Sequence, residues 1–130
     1  MKQEELNDIL YTHAEFIATE GRKAKLADLS YEYLSDLVFT NANLTNIDLA
    51  YANLAYANLT DANLTNANLT NANLGDVDFT DANLTGANLT GTYLTGATLT
   101  GADLTGAQFD YINIQHAKLS DAQRNQVIFF

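Results

Sequence analysis

Apolar residues recur at every fifth position along most of this chain. The series begins at Leu29 and continues to Leu119, and each of its 19 positions is Leu, Phe or Ile. A second series, usually Ala, lies two residues before each of these positions and starts at Ala27. The residues between the two series are mostly Asn, Asp, Thr and Gly. The pattern therefore predicts two inward-facing series separated by polar turn residues.

A five-residue period fits neither an ordinary helix nor a flat strand. A helix would spread these apolar residues around its whole surface, and a strand would place successive ones on opposite faces. Each unit must instead return the chain to the same orientation relative to an interior. A short extended segment followed by a turn does this, because Asn, Asp and Gly supply the turn chemistry. Large and small side chains alternating inside would fill a narrow interior.

The repeated units carry a specific resemblance. NANLT at 41–45, DANLT at 61–65 and GADLT at 101–105 share the form A-(N/D)-L-x-x. This form resembles the pentapeptide-repeat family over about 93 residues, from 27 to 119. The resemblance implies an all-β solenoid, a right-handed quadrilateral β-helix of nearly five coils in which four pentapeptides make one square coil. At about 4.8 Å per coil, the rod would be roughly 20 Å long.

Residues 1–25 do not follow the repeat and are predicted to form an N-terminal capping helix and linker, ahead of a solenoid at 26–119. The segment from Gln3 to Glu20 has the spacing of an amphipathic helix, and Gly21 is a natural stop. Its apolar stripe consists of Leu6, Ile9, Leu10, His13 and Ile17. We expect this stripe to cover the N-terminal strand edges, which invite aggregation when exposed.

Three departures from the repeat carry structural predictions. Glu32 occupies an inward position, and because burying an unpaired carboxylate is costly, we expect the first coil to be irregular or open beside the helix. Thr92 is the other polar inward residue, and we expect its hydroxyl to bond a neighbouring carbonyl. Gly occupies five successive turn positions from Gly86 onward, where earlier turns use Asn, Asp or Tyr. Because Gly tolerates positive φ, we predict that the turn geometry changes there.

The C-terminal end departs from the repeat at Arg124, and residues 120–130 are predicted to form a cap or tail. Ser120 to Gln123 resembles the start of a short helix. The chain closes on four apolar residues, Val127, Ile128, Phe129 and Phe130. They are expected either to fold over the last coil, which we favour, or to form an end-to-end homodimer interface.

The composition excludes several classes of chemistry. The 130 residues include no Cys, which rules out disulfides and thiolate zinc sites. The net charge is −10, and the stretch between Leu37 and Ala117 holds seven Asp and no Lys or Arg. This argues against direct nucleic-acid binding, which needs clustered Lys and Arg. No signal peptide or run of about 18 apolar residues is visible, so we expect a cytoplasmic protein with no membrane contact.

No catalytic set or cofactor site can be assembled from the sequence. His13 and His116 lie far apart, Ser is rare, and no phosphate-binding loop is present. Asp76, Asp78 and Asp81 suggest calcium, but their spacing does not match a calcium-binding loop. We therefore predict no enzyme activity, no cofactor and no metal site.

The candidate interaction surface combines acidic and aromatic residues on the outside of the coil. It consists of Asp61, Asp76, Asp78, Asp81, Tyr51 and Tyr56. Exposed Tyr is typical of binding surfaces. Tyr31 and Tyr111 lie at multiples of 20 residues from Tyr51, in the same column, and Tyr33 and Tyr93 share a separate outward column. Alternatively the rings pack on neighbouring side chains or on the helix, which we favour for Tyr31 and Tyr33.

Two functions remain after these exclusions. The first is a non-enzymatic scaffold that presents a rigid acidic surface to an unidentified protein partner, and composition does not separate it from a purely structural role. The second is a DNA mimic, because some pentapeptide-repeat proteins imitate duplex DNA and bind DNA gyrase. The short array and the lack of a projecting loop argue against mimicry, and a duplex-length mimic would need a dimer.

Overall fold

The computed structural model describes residues 1–20, 26–114 and 116–130. The predicted helix stop at Gly21 lies outside these residues. The named elements, in chain order, are α1 (Gln3–Ala18), β1 (Gln108–Phe109), α2 (Tyr111–Ile114), α3 (Asp121–Gln126) and β2 (Ile128–Phe129). None of the helices in the described ranges is long and apolar enough to cross a membrane.

Single-residue parallel bridges connect successive turns of the chain between α1 and β1. Each bridge joins residues 20 positions apart, from Asp28↔Asp48 to Asn88↔Gln108. The bridges fall into four columns, which we number as four sides of the coil. Side 1 contains positions 28, 48, 68, 88 and 108; side 2 contains 33, 53, 73 and 93; side 3 contains 38, 58, 78 and 98; side 4 contains 43, 63, 83 and 103.

The arrangement is the four-sided coil that the resemblance implies, although regular strand is confined to β1 and β2 in the described residues. Each side contributes one bridged residue per coil because a turn follows at once. The bridges span four coils and side 1 of a fifth, slightly fewer than the nearly five coils predicted. The right-handed sense of the coil stays a prediction.

Backbone hydrogen bonds link the coils in a fixed register. The central residue of each side donates its N–H to a carbonyl of the next coil, as Leu64 does to Asn83 at 2.7 Å. The residue before the centre donates back to the preceding coil, as Asn68 does to Ile47 at 2.9 Å. The corner residue adds a third bond. This is the evenly spaced pattern of parallel strands.

The corners have one backbone geometry throughout, so the predicted change at Gly86 is wrong. The third residue of every turn has positive φ, between 53° and 64° for the Tyr, Asn and Asp corners from Tyr31 to Asp81, and between 68° and 79° for the Gly corners. A carbonyl–amide bond closes each turn, as from Ala62 N–H to Leu59 O at 3.0 Å. Positive φ at the third residue is the feature of a type II turn. The register between coils fixes the turn geometry, and the residue type at the corner changes only the energetic cost of that geometry.

The glycine corners are explained by the coil before them. A Cβ at Gly91, Gly96 or Gly101 would overlap the side-chain oxygen of Asn71, Asp76 or Asp81, respectively. These polar side chains lie over the glycine of the next coil. Gly106 differs, because the nearest atom to its Cβ position is 4.0 Å away.

The interior is filled by the two inward series. The central Leu and Phe residues from 29 to 109 are at most 1% exposed, and Ala residues such as Ala62 and Ala87 are equally closed. Thr92 is buried and its hydroxyl donates to Leu89 O at 2.7 Å, as predicted. Glu32 is exposed, so the first coil is open at this position, although its bridges remain regular.

Helix α1 covers the N-terminal end, and its side chains bond the exposed strand edge. Leu6 is fully buried in the core. The Gln3 amide accepts from Val38 N–H and donates to Val38 O, both at 2.8 Å. Buried His13 accepts from Ala27 N–H at its Nδ1 (3.0 Å), so its Nε2 carries the proton donated to Thr45 O (2.9 Å). These side chains replace the backbone of a missing coil.

The C-terminal end is closed by α3 and β2. The Gln123 amide is buried and donates to Leu99 O and Ala102 O, at 2.6 and 3.1 Å. Gln126 accepts from Leu104 N–H through its side chain and from Gly106 N–H through its carbonyl. Ser120 caps α3, as the sequence predicts. Strand β2 then pairs with β1 in parallel, in the register that the bridges of side 1 set.

The repeat in the sequence runs to Leu119, but the bridges within the described residues end at β1, just before α2. The reason lies at Asp110. Its carboxylate, rather than its carbonyl, accepts from Gly91 N–H at 2.5 Å. The Asp110 carbonyl instead accepts from Ile114 N–H at 3.2 Å, which makes a helical turn. Ile114 and Ala117 nevertheless remain buried at the positions that the period assigns to them.

We expect Gly101→Ala to destabilise the solenoid more than Gly106→Ala. Both alanines would adopt left-handed backbone, at a cost of about 1–2 kcal/mol. Only the first would also displace Asp81. Urea denaturation of the two variants measures the difference between their unfolding free energies. Adding Asp81→Gly to the Gly101→Ala variant should reduce this difference. Equal losses for both variants would contradict the packing of Asp81 over Gly101.

The pKa of His13 should make stability depend on pH. Burial lowers this pKa below its ordinary value of 6.5. The unfolded chain therefore binds a proton that the folded chain resists, so the unfolding free energy should fall as pH drops from about 6.5 towards the folded pKa. We expect His13→Gln, which keeps a donor and an acceptor but does not titrate, to remove this component. Urea denaturation on both sides of that window tests it, with His116→Gln as the control at an exposed histidine.

Candidate interaction surface

The structure places five of the six predicted surface residues around side 3. We name the corners by their third residues: corner A (31, 51, 71, 91), corner B (36, 56, 76, 96), corner C (41, 61, 81, 101) and corner D (46, 66, 86, 106). Tyr56 and Asp76 are at corner B, Asp61 and Asp81 at corner C, and Asp78 is on side 3 between them. Tyr51 is separate, at corner A.

Asp78 is held by the residues beside it. Its carboxylate accepts from the Thr80 hydroxyl at 2.5 Å and from Thr80 N–H at 2.9 Å. These bonds to Thr80, with a further one to the Thr60 side chain, lower the pKa of Asp78 below 3.8, against the opposing effect of burial. Asp103 on side 4 has a lowered pKa for the same reason, through Thr105 first and Thr85 last. Asp78 is therefore a fixed negative charge at neutral pH.

The corner carboxylates are exposed but oriented. Asp76 lies over Gly96, and Asp81 lies over Gly101, because no side chain blocks the space there. Asp61 is one coil before Asp81 in the same corner and is also exposed. The result is a short two-column array of carboxylates on either side of Asp78.

A network of Asn and Thr side chains stiffens this exterior. The Asn before each central residue accepts from the backbone N–H two positions later, as Asn63 does from Thr65 at 3.1 Å. The Thr65 hydroxyl donates to the same oxygen at 2.6 Å. Amides also bond between coils, from Asn73 to Asn53 at 3.2 Å. The recurring N-L-T triplet is the sequence signal of this network.

The two predicted aromatic candidates differ in their surroundings. Tyr51 stacks on Tyr31, with ring centroids 4.8 Å apart and an interplanar angle of 4°. Tyr56 is 64% exposed at corner B. Tyr31 therefore packs on a neighbouring side chain, one of the two arrangements that we favour for it, and Tyr33 is 76% exposed.

The four C-terminal residues continue the strand pairing of side 1 through β2, and they leave apolar side chains exposed to solvent. Val127 packs against the core, while Ile128, Phe129 and Phe130 are exposed by 48%, 43% and 73%. The Phe129 ring meets Tyr111 edge to face, with centroids 6.2 Å apart. The segment thus covers side 1 of the last coil, and its outer face is open.

The two histidines are not brought together. His13 is a buried residue of α1 with both ring nitrogens bonded, and His116 is exposed near the other end. In the described ranges, no group of three His, Cys, Asp or Glu side chains is placed to hold a metal ion. The Asp76, Asp78 and Asp81 carboxylates point to different neighbours, as described above.

A four-sided parallel coil built from five-residue units defines a class of repeat solenoid. A family model described as a pentapeptide repeat region matches residues 33–109, more than half of the chain. The chain therefore belongs to the pentapeptide-repeat family. A comparison with curated proteins finds no match.

Solved structures agree with this assignment. The chain is 30% identical to alr5209, a pentapeptide repeat protein from Nostoc PCC 7120, with a TM-score of 0.75 and coverage of 92% of this chain and 94% of that one. It is also similar in fold to a trypsin-treated variant of QnrB1, a plasmid-mediated fluoroquinolone resistance protein, with a TM-score of 0.61 and 21% identity. That match covers 79% of this chain and 57% of the QnrB1 chain.

We expect Asp78→Asn to make the protein less sensitive to acid. Because the folded pKa of Asp78 is below 3.8, its stabilising effect is complete above that value and is lost as pH falls further. Asn keeps the oxygen that Thr80 bonds but does not titrate. Thermal melting between about pH 5 and pH 3 should show a smaller loss for the variant than for the wild type. An unchanged loss would mean that the Thr80 bonds do not favour the charged form.

Proposed function

We propose that this protein is a non-enzymatic scaffold that presents the rigid acidic surface around side 3 to a protein partner. The observation that supports the proposal is the clustering of Asp61, Asp76, Asp78 and Asp81 on one side and its two corners. No Lys or Arg occurs between Leu37 and Ala117 to neutralise them. A complementary basic surface would be attracted and oriented by this charge.

Rigidity supports the same proposal. Three backbone bonds per side and the Asn–Thr network hold each outward residue at a fixed position. A surface that is already ordered loses little conformational entropy when a partner binds. The filled interior is consistent with a role carried by the exterior.

The alternative is a DNA mimic that binds DNA gyrase. Its support is the same cluster of carboxylates, arranged in columns along a rod, together with the family assignment. The fold similarity to QnrB1 adds a shared architecture and no shared activity. Stacking of two copies would lengthen the rod.

We propose the exposed C-terminal residues as the contact for such a dimer. Ile128, Phe129 and Phe130 lie at the C-terminal end of side 1, where β2 pairs only with β1 among the residues that the structure describes. A protein that is monomeric in light scattering at high concentration would rule the dimer out.

The scaffold proposal is tested by comparing two fourfold variants with equal net charge. One changes Asp61, Asp76, Asp78 and Asp81 to Asn, the residue that the repeat itself uses at many of these positions. The control changes Asp28, Asp48, Asp103 and Asp121 to Asn, at positions that lie away from side 3. In a pull-down, we expect partners of the wild type to be lost by the first variant and kept by the control. Equal retention by both would contradict a binding role for side 3.

A supercoiling assay with titrated protein separates the two functions. Inhibition of gyrase by the wild type and the control, but not by the side 3 variant, would support the DNA mimic. No inhibition at a large excess would exclude it and leave the scaffold proposal to the pull-down.

A further inference from the structure

Five tyrosines lie on one side of the solenoid. They belong to side 2 or to its bounding corners, and each is between 51% and 76% exposed: Tyr31, Tyr33, Tyr51, Tyr56 and Tyr93. Of the two other tyrosines in the sequence, Tyr11 is on α1, and Tyr111 is on α2, where its ring meets Phe129. Side 3 and side 4 carry none at their bridge positions. The aromatic surface is thus confined to side 2, next to the acidic surface.

The residue after the central position also differs next to these rings. The residue after the central position is Thr at every turn of corners C and D from Thr40 to Thr105. At corners A and B it is replaced by smaller residues at five turns, namely Ser30, Ser35, Ala50, Ala55 and Gly75. At Gly75 a Cβ would lie 3.1 Å from the ring of Tyr93. The small residues therefore border the aromatic side alone.

Three of the tyrosines occupy strained backbone. Tyr31, Tyr51 and Tyr56 have φ of 62°, 59° and 63°. Bulky residues are uncommon in this region, which favours Gly, Asn and Asp, and the other described corners of the coil use those residues. Strain of this kind is retained where the side chain has a use beyond stability.

Carboxylates alternate with the rings. Corner B reads Asp36, Tyr56, Asp76 in successive coils. Exposed Glu32 lies between Tyr31 and Tyr33 in the sequence. A ring face beside a carboxylate is the environment that suits a guanidinium group, which stacks on the ring while its N–H groups bond the carboxylate. An ammonium group gains less, because it is a strongly hydrated point charge.

We propose that side 2 with corners A and B binds an arginine-rich segment of a protein partner. The inference rests on the scaffold function proposed above and names the chemistry of the partner. Tyr33 and Tyr93 are three coils apart, about 14 Å at the spacing of paired strands. An extended segment of about five residues spans that distance and places alternate side chains on the rings.

The probe is a hexa-arginine peptide, titrated calorimetrically into the intact protein, with hexa-lysine for comparison. The test variant is Tyr33→Asn, Tyr56→Asn and Tyr93→Asn combined, which leaves the net charge unchanged. The control is Tyr11→Asn, at a tyrosine that is 70% exposed but not on side 2. We expect hexa-arginine to bind at least tenfold more tightly than hexa-lysine, and the triple variant to lose at least tenfold in affinity while the control stays within twofold.

Two results would overturn the proposal. Equal affinities for the two peptides, or binding of hexa-arginine by the triple variant within twofold of the wild type, would mean that charge alone holds the peptide. If the triple variant does not fold, the NMR chemical shifts of the tyrosine ring protons in the wild type test the proposal instead. Hexa-arginine must then shift the side 2 tyrosines and leave Tyr11 unmoved. The side 3 pull-down changes only aspartates and keeps every tyrosine, so the failure of the arginine proposal is distinguishable from the failure of the scaffold proposal.

Discussion

The hydrogen bond between each central N–H and a carbonyl of the next coil is the interaction on which this molecule depends. It fixes the length of the coil, so every position on one coil lies above its equivalent on the next. The same register imposes positive φ on each corner, whatever the residue there. Columns of identical chemistry, such as the Asn–Thr network and the corner carboxylates, follow from this register rather than from separate contacts.

Much of the fold could be predicted from the sequence, because the apolar residue at every fifth position determines how each coil aligns with the next. The inward Leu and Ala residues, the covering helix and the Thr92 bond all follow from the period and elementary burial costs. The prediction of a changed turn geometry at Gly86 was wrong, because Asn, Asp and Gly all adopt the same positive-φ backbone and differ only in its energetic cost. Helix α2 was missed because it depends on which Asp110 oxygen faces Gly91, a choice the period does not encode.

The exterior was predictable in position and not in detail. Because one coil is 20 residues long, the sequence alone places Asp61 next to Asp81 and Tyr56 next to Asp76. It does not show that Asp76 lies over a glycine, or that Tyr31 and Tyr51 stack. The confinement of the tyrosines to one side was also readable, but its meaning came from backbone strain and from the small residues beside the rings.

The side-chain caps have a consequence for how such a protein changes over generations. Gln3 and His13 bond the first coil, and Gln123 and Gln126 bond the last, while every coil between them presents the same backbone groups to its neighbours. Duplication or deletion of one whole coil in the middle therefore leaves both ends with unaltered partners. Length can drift in whole coils under gene duplication, while the two ends are inherited as fixed pieces.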